Sequence, residues 1–283
     1  MSGRTMPPRG TALISTLHDT NGRMLGALQD RCADLRQYAG VYLRATQATD
    51  RRFHGALMAP RVVWVSGDDP TGLGRYAVLE AALADGHTSF LSCDFDRWLH
   101  WAGRYPAELT HIPSRAERGE PPPWYVCLGR TPRAFATHPL VQQHAEQATN
   151  HAFSLAVGRR VDATAGAAWL SAEGARIVLE GSTEATAATD LEWPALVCHH
   201  APDRLAAMAV EGLEFETAEF FAAEIGAAGG EEAWLDSEYE QPSVWQARLE
   251  LAARSIAAAC QVLGHDSAQP LYHRTSDMLR GHG

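Results

Sequence analysis

Two carboxylates at the end of a short apolar segment are the side chains of this sequence best placed to bind a metal ion. Asp94 and Asp96 follow the apolar segment Thr88–Cys93, with one residue between them. In an extended chain, residues i and i+2 point the same way, so both carboxylates can face one ion. Mg²⁺ and Mn²⁺ prefer oxygen ligands, and a diphosphate and water can fill the remaining positions. The pattern predicts a divalent cation held against a nucleotide diphosphate.

The elements that must position this pair alternate between strands and helices. Apolar segments predict strands at Thr11–Leu17, Val41–Ala45, Arg61–Ser66, Thr88–Cys93 and Trp124–Leu128. Helical patterns lie between most of them, with short connections, which favours a mostly parallel sheet covered on both faces. In such sheets ligands bind beyond the carboxyl ends of the strands, where Asp94 and Asp96 fall. Later segments predict a buried stretch at Glu192–Cys198, a strand within Met208–Glu216 and closing helices at Glu219–Gly226 and Val244–Leu263.

Composition excludes several classes of protein. The 283 residues carry a formal charge of −10, which argues against a protein that grips nucleic-acid backbones. All 24 basic residues are arginine, so no lysine-dependent P-loop, Schiff base or Tyr-x-x-x-Lys dehydrogenase pair can exist. Five scattered cysteines without a CxxC pair predict reduced thiols and a cytoplasmic protein. No apolar stretch approaches the length of a transmembrane segment.

A glycine pair precedes the carboxylates and allows two interpretations. Gly72-Leu-Gly74 could belong to a dinucleotide-binding loop, since Asp94 lies 20 residues past Gly74 at the distance of a ribose-binding acid. The loop is one residue too long for a short-chain dehydrogenase, however, and the lysine of that family is absent. An oxidoreductase is therefore a poor fit.

The order of five motifs resembles another family. Gly72-x-Gly74-Arg75, a helix, a strand and Asp94-x-Asp96 resemble the GT-A fold nucleotide-sugar glycosyltransferases, especially the family-2 and dolichyl-phosphate-mannose-synthase-like group. Farther along, the matching motifs are Leu128-Gly129-Arg130, Asn150–Gly158 with Asp162-x-Thr164-x-Gly166, and Thr189-Asp190-Leu191-Glu192-Trp193. The resemblance runs from about Thr11 to Glu216. It implies a GT-A (Rossmann-like) α/β fold, with a catalytic domain over residues 1–216 and a C-terminal helical extension over 217–283.

The resemblance also implies roles for individual residues. Asp94 and Asp96 would hold Mg²⁺ or Mn²⁺, with His199 as a candidate third ligand. Asp190 or Glu192, placed on one face, would be the general base that deprotonates the acceptor hydroxyl. Trp193 would stack on a sugar ring. Donor contacts would come from Asp19, Asp69, Gly72, Gly74, Arg75 and Arg130, although Asp19 and Asp69 fit ordinary turn-capping roles equally well.

The predicted activity is hexosyl transfer from a GDP- or UDP-linked sugar to a hydroxyl of a small-molecule, glycan or lipid-linked acceptor. The Gln-x-x-Arg-Trp signature of processive synthases is absent, which favours a single transfer. Two alternatives stay open. One is a nucleotidyltransferase, whose usual glycine-rich loop needs a lysine that the chain lacks. The other is a GT-A-like domain that binds a nucleotide sugar without turnover.

Overall fold

The structure, a computed structural model, describes residues 10–57, 62–65, 67 and 71–265. Its strands are β1 (Ala12–Leu17), β2 (Gly40–Ala45), β3 (Val62–Val65), β4 (Ser89–Cys93), β5 (Tyr125–Arg130), β6 (Ala167–Ser171) and β7 (Leu205–Val210). The α-helices of the first half are α1 (Leu25–Arg31), α2 (Arg52–Ala56), α3 (Thr71–Ala84), α4 (Phe95–Arg104), α5 (Pro106–Ala116) and α6 (Pro132–Ala136). The second half adds α7 (Leu140–Val157), α8 (Ala172–Gly181), α9 (Thr189–His200), α10 (Thr217–Phe220), α11 (Ala222–Ala228), α12 (Glu231–Tyr239) and α13 (Pro242–Leu263). Cys32–Gln37 and Pro202–Arg204 form 3₁₀ turns.

The seven strands form one sheet in the order β3-β2-β1-β4-β6-β5-β7. All neighbouring pairs are parallel except those of β6, which runs antiparallel to β4 and β5. β1, β2, β4 and β5 are buried along nearly their whole length, as expected for strands covered on both faces. The predicted mostly parallel α/β sheet is confirmed. β6 was missed because its small residues Ala167 and Ala168 gave no strand signal in the sequence.

Helices cover both faces of the sheet, and each face has its own apolar core. On one side, α1, α4 and α5 bury aromatic rings such as Phe95, Trp98 and Trp101. On the other side, side chains of α3, α7, α8 and α9 pack together, among them Leu79, Phe153 and Leu191. The last long helix, α13, packs across α7 and α9. In the described part of the chain, no helix is both long and apolar enough to cross a membrane.

The glycine pair lies in a helix and not in a loop. α3 begins at Thr71, so Gly72 and Gly74 occupy its first turns, and the prediction that this glycine pair forms a loop is wrong. The Gly72 amide donates to the carbonyl of Ala185 at 3.0 Å, and a Cβ on Gly72 would lie 2.5 Å from the carbonyl oxygen of Thr186. Close packing against this distant backbone, which no local pattern reveals, explains the glycine.

The sheet changes direction between β1 and β4. From β1 the chain moves outward to β2 and β3 and then returns through α3 to β4 on the other side of β1. The connections on the two sides diverge there, which opens a crevice at the carboxyl ends of the two strands. Thr16 in β1 and Asp94 after β4 both lie at this crevice.

Candidate functional site

Asp94 is fixed at the crevice by two neighbours. It directly precedes α4 and takes the N-cap position of that helix. The Thr16 hydroxyl donates to its Oδ1 at 2.7 Å, and Arg75 Nη2 donates to its Oδ2 at 2.8 Å. Burial acts to raise the pKa of Asp94, but the positive charges of Arg75 and Arg97 outweigh it and hold that pKa below its usual value. Asp94 is therefore an ionised, fully hydrogen-bonded carboxylate.

Arg75 joins Asp94 to the start of α9. Its Nη1 donates to Asp190 Oδ1 at 2.6 Å, while Nη2 holds Asp94. The guanidinium is almost fully buried between the two acids. Burial raises the pKa of Asp190, against the opposing pull of Arg75, so this carboxylate has more affinity for a proton than an ordinary aspartate. The structure thus brings three predicted site residues, Arg75, Asp94 and Asp190, into direct contact.

Asp96 lies close by, but in a different environment. It falls in the first turn of α4, where its Oδ1 accepts the backbone N–H of Arg97 at 2.8 Å. Burial, and then the negative charges of Glu216 and Asp94, raise the pKa of Asp96 to about 7. Among the described residues, no guanidinium group donates to the carboxyl of Asp96 as that of Arg75 does to Asp94, although the charge of Arg97 opposes the rise in the pKa of Asp96. Asp96 is thus a crowded acid whose negative charge a proton or an added cation would offset.

Arg97 and Glu216 complete this side of the crevice. Arg97 Nε lies 3.5 Å from Glu216 Oε1, and its Nη1 donates to the carbonyl oxygen of Ala165. Gly166 follows with a positive φ of 68°, and a Cβ there would lie 2.9 Å from Arg97 Nη1. Glycine is therefore required at this position both by the backbone conformation and by the guanidinium. Arg97 and Glu216 were not among the predicted site residues: Arg97 adjoins Asp96 in the sequence, but no local pattern links Glu216 to Asp96.

The carboxylate pair is not arranged as predicted. Asp94 has extended backbone angles, but Asp96 is helical, so the two do not share one face of a strand. Among residues 10–57, 62–65, 67 and 71–265, no group of three or more His, Cys, Asp or Glu side chains is arranged to hold a metal ion. Any cation here would need oxygen ligands from a bound molecule or from water in addition to the protein.

Asp190 and Glu192 diverge, so the prediction that they share a face is wrong. Thr189–His200 is a helix, in which side chains two positions apart point in nearly opposite directions. Glu192 is buried and accepts hydrogen bonds from the backbone N–H groups of Thr183 and Glu184, at 2.8 and 3.0 Å. Glu192 thus holds the connection between α8 and α9 in place.

Trp193 and His199 differ in their distance from the crevice. Trp193 is buried and donates to the hydroxyl of Ser182 at 3.1 Å, and it lines a small pocket together with Arg75 and Asp190. His199 is exposed in the last turn of α9, where its ring contacts that of His200. Nine residues of helix separate it from Asp190, roughly 13 Å along the axis. The structure does not bring His199 to Asp94 and Asp96.

Arg130 does not have a guanidinium free for donor phosphate. Its Nε and Nη2 donate to the two carboxylate oxygens of Asp162, at 2.9 and 2.8 Å, and Nη1 donates to Glu146 at 2.7 Å. Nη2 also donates to the hydroxyl of Thr164, and the side chain is only 1% exposed. Asn150 adds a further hydrogen bond to Asp162. The predicted phosphate contact is replaced by an internal network that ties β5 to α7.

The remaining predicted donor residues divide as follows. The carboxylate of Asp19 accepts backbone N–H groups from Asn21 and Met24, at 3.2 and 2.8 Å, which is the turn-capping alternative. Asp69 lies outside the described residues. Gly72 and Gly74 support the packing of α3, which in turn carries Arg75 to the crevice.

No protein-family model and no curated protein matches the chain. Solved structures do match its fold. A mycobacterial protein superposes with a TM-score of 0.54 at 13% identity, over 92% of this chain and 77% of its own. Glucosyl-3-phosphoglycerate synthase from Mycobacterium tuberculosis, a GT-A-type glycosyltransferase, superposes at 0.50 in its complex with phosphoglyceric acid (12% identity, 92% of this chain, 82% of its own). Another structure of that synthase gives 0.52 at 11% identity, over 92% and 83%. At such identities the likeness establishes the fold alone, and the GT-A prediction for the fold is confirmed.

Proposed function

We propose that this chain is a GT-A glycosyltransferase that moves one sugar from a GDP- or UDP-linked donor to an acceptor hydroxyl. The observation that carries the proposal is the position of Asp94 and Asp96. In a GT-A-like sheet they follow β4 at the crevice between β1 and β4, where an α/β sheet binds its ligands. Arg75 contacts both Asp94 and Asp190, which supports assigning all three residues to one site.

Asp96 is the residue suited to a divalent cation. Its carboxyl oxygens are hard ligands, and its pKa is raised to about 7 by burial and then by the charges of Glu216 and Asp94, two charges that would favour a bound cation. Asp94 is less available because Thr16 and Arg75 occupy its two oxygens. Mg²⁺ or Mn²⁺ bound here would neutralise the donor diphosphate and ease departure of the nucleoside diphosphate.

Asp190 is the candidate general base. Its burial raises its pKa, so it can take the proton of the acceptor hydroxyl as that oxygen attacks the sugar carbon. Arg75 fixes the carboxylate at 2.6 Å and keeps it from rotating away. Glu192, the other candidate in the sequence, is committed to the backbone of Thr183 and Glu184.

A thermal-shift screen of GDP, UDP and their sugar conjugates, with and without Mn²⁺, tests the donor site. A ligand at about 100 times its dissociation constant stabilises the folded state by about 2.7 kcal/mol, which is readily detected. The expected result is a metal-dependent shift for one base that is lost in Asp96→Asn and kept in Glu173→Gln, a matched change at an exposed acid. A screen in which no nucleotide shifts the melting temperature would refute the proposal.

Product analysis then separates the three candidate functions. A glycosyltransferase releases a nucleoside diphosphate from the donor, by transfer or by slow hydrolysis. A nucleotidyltransferase instead forms or consumes pyrophosphate. A domain that binds the donor without turnover releases neither. Release of nucleoside diphosphate that falls at least about 100-fold in Asp190→Asn would support Asp190 as the base.

A further inference from the structure

The edge of the sheet beyond β4 is lined with charged side chains that form ion pairs with one another. The start of β6 and the carboxyl ends of β5 and β7 follow β4 along this edge. Three guanidinium groups and three carboxylates lie along it, and we call this set the acceptor flank: Arg97, Arg130, Arg248, Glu146, Asp162 and Glu216.

The acceptor flank takes its name from the proposed function, on which this inference rests. The donor would occupy the crevice between β1 and β4. The candidate base Asp190 begins α9, which packs against β5 and β7. An acceptor hydroxyl must reach that base, so the acceptor must approach from the β5 side of the crevice.

Each guanidinium of the flank already contacts a carboxylate. Arg97 pairs with Glu216, and Arg130 pairs with Asp162 and Glu146. Arg248, which α13 contributes, has Nη1 3.6 Å from Glu146 Oε1. The three carboxylates match the three guanidinium groups, so the flank has no excess positive charge for an anionic acceptor.

Glu146 offsets more of the positive charge of the flank than any other of its carboxylates. Its Oε2 accepts from Arg130 at 2.7 Å, while Oε1 faces Arg248. Its charge also acts on Arg97, whose pKa it helps to raise. One side chain on α7 therefore offsets positive charge from β5, from α13 and from α4. Arg248 is 32% exposed, so without Glu146 it would be a cation open to solvent at this edge.

From this balance we infer that the acceptor is an uncharged hydroxyl compound and that Glu146 is the residue that excludes anionic acceptors. A phosphate or carboxylate on the acceptor would find every guanidinium group of the flank already paired and would have to compete with Glu146 for Arg248. Because like charges at short range repel each other, an anionic acceptor beside Glu146 would bind more weakly than a neutral one.

Affinity for an anionic probe tests the role of Glu146. The dissociation constant of 3-phosphoglycerate is measured by calorimetry at pH 8, with UDP or GDP and Mn²⁺ present, on the wild type and on Glu146→Gln. We expect binding in Glu146→Gln about tenfold tighter than in the wild type. The double variant Glu146→Gln/Arg248→Gln should lose that gain, whereas Glu146→Asp should behave as the wild type. Equal affinity in the wild type and Glu146→Gln, or no binding to either, would overturn the role of Glu146.

Transfer assays on the wild-type protein test the acceptor class and need no variant. Glycerol and 3-phosphoglycerate share a three-carbon skeleton and differ in charge, and a set of neutral and phosphorylated sugars extends the comparison. Faster transfer to the neutral member of each pair supports the inference, and faster transfer to the anionic member overturns it. Failure of the proposed function is distinguishable, because in that case no nucleoside diphosphate is released with any acceptor or with water.

Discussion

Two clusters of charged side chains at the same edge of the sheet differ in how completely their charges are paired. Around Arg130, two carboxylates, a hydroxyl and an asparagine amide satisfy one another in a closed network. Around Asp96, the carboxyl accepts one backbone N–H, from Arg97, and the acidic charges of Glu216 and Asp94 act on it against the positive charge of Arg97. The pKa shifts follow this difference, with that of Asp162 lowered, although burial opposes it, by hydrogen bonds from Arg130, and that of Asp96 raised by burial and by its acidic neighbours.

The difference separates structural from functional charge. A closed network lowers the energy of the empty protein and has nothing left to offer a ligand. A buried carboxyl beside other acids destabilises the unliganded protein. A bound cation removes this destabilisation, and the recovered free energy adds to the affinity for the cation. The contrast therefore assigns Arg130 and Asp162 to the fold and Asp96 to ligand binding.

The largest effect is expected from Arg130→Met. This change leaves Asp162 buried without its charge partner, which should lower the free energy of unfolding by roughly 3–5 kcal/mol at pH 7. The folded-state pKa of Asp162 is depressed, so the stabilisation that Arg130 gives is present above the unfolded pKa of about 3.9 and is lost as pH falls. Urea unfolding at pH 7 and pH 3.5 should show the deficit shrinking at the lower pH.

A surface pair provides the control for this prediction. Arg176 contacts Glu173 at 3.8 Å, and both side chains are more than half exposed. Arg176→Met should leave the unfolding curve unchanged, because exposed pairs contribute little. If Arg130→Met were as mild, the network around Arg130 would not be structural and the contrast between the two clusters would fail.

A smaller effect of opposite sign is expected from Asp96→Asn. Between the unfolded pKa of about 3.9 and the folded pKa of about 7, the folded state holds the extra proton. The free energy of unfolding of the wild type should therefore fall across that range as pH rises, and the asparagine variant lacks this loss. We expect Asp96→Asn to gain on the order of 2 kcal/mol relative to the wild type between pH 4 and pH 8, since Glu216 and Asp94 share the coupled titration.

Parallel urea titrations of the two proteins across that pH range measure the gain. A constant difference between them would show that Asp96 is already ionised at low pH and is not crowded. Saturating Mn²⁺ with the preferred nucleotide offers a second measurement. If a cation binds at Asp96, the ligands should stabilise the wild type more than Asp96→Asn at pH 8.

The sequence predicted the sheet, Asp94 and Arg75, but not the contact between the two side chains. Apolar segments such as Thr88–Cys93 identify strands because burial on both faces demands continuous apolar residues. Asp94 could then be placed, since it ends a strand. Arg75 was found for the wrong reason, as part of a loop that is in fact the first turns of α3.

Glu216 and the divergence of Asp190 from Glu192 could not be predicted from local patterns. Glu216 meets Arg97 across a sequence separation of more than a hundred residues, and only the topology of the sheet brings them together. The segment from Asp190 onward contains Trp193, Pro194 and Val197, which obscured its helical period. In both cases tertiary packing determines the structure. For the segment from Asp190 onward, helix propensity is too weak a signal to predict the helix from the sequence.

The smallest effect is expected from His199→Ala. This histidine lies at the exposed end of α9, away from Asp96, and contacts only the ring of His200 among the contacts described for it. The substitution should leave the Mn²⁺-dependent nucleotide shift and the unfolding curve unchanged, while Asp96→Asn removes the shift. A loss of metal response in His199→Ala would mean that the C-terminal end of α9 reaches the crevice when the donor binds. The cation would then depend on a movement of α9, and the crowding around Asp96 would not be enough to explain its affinity.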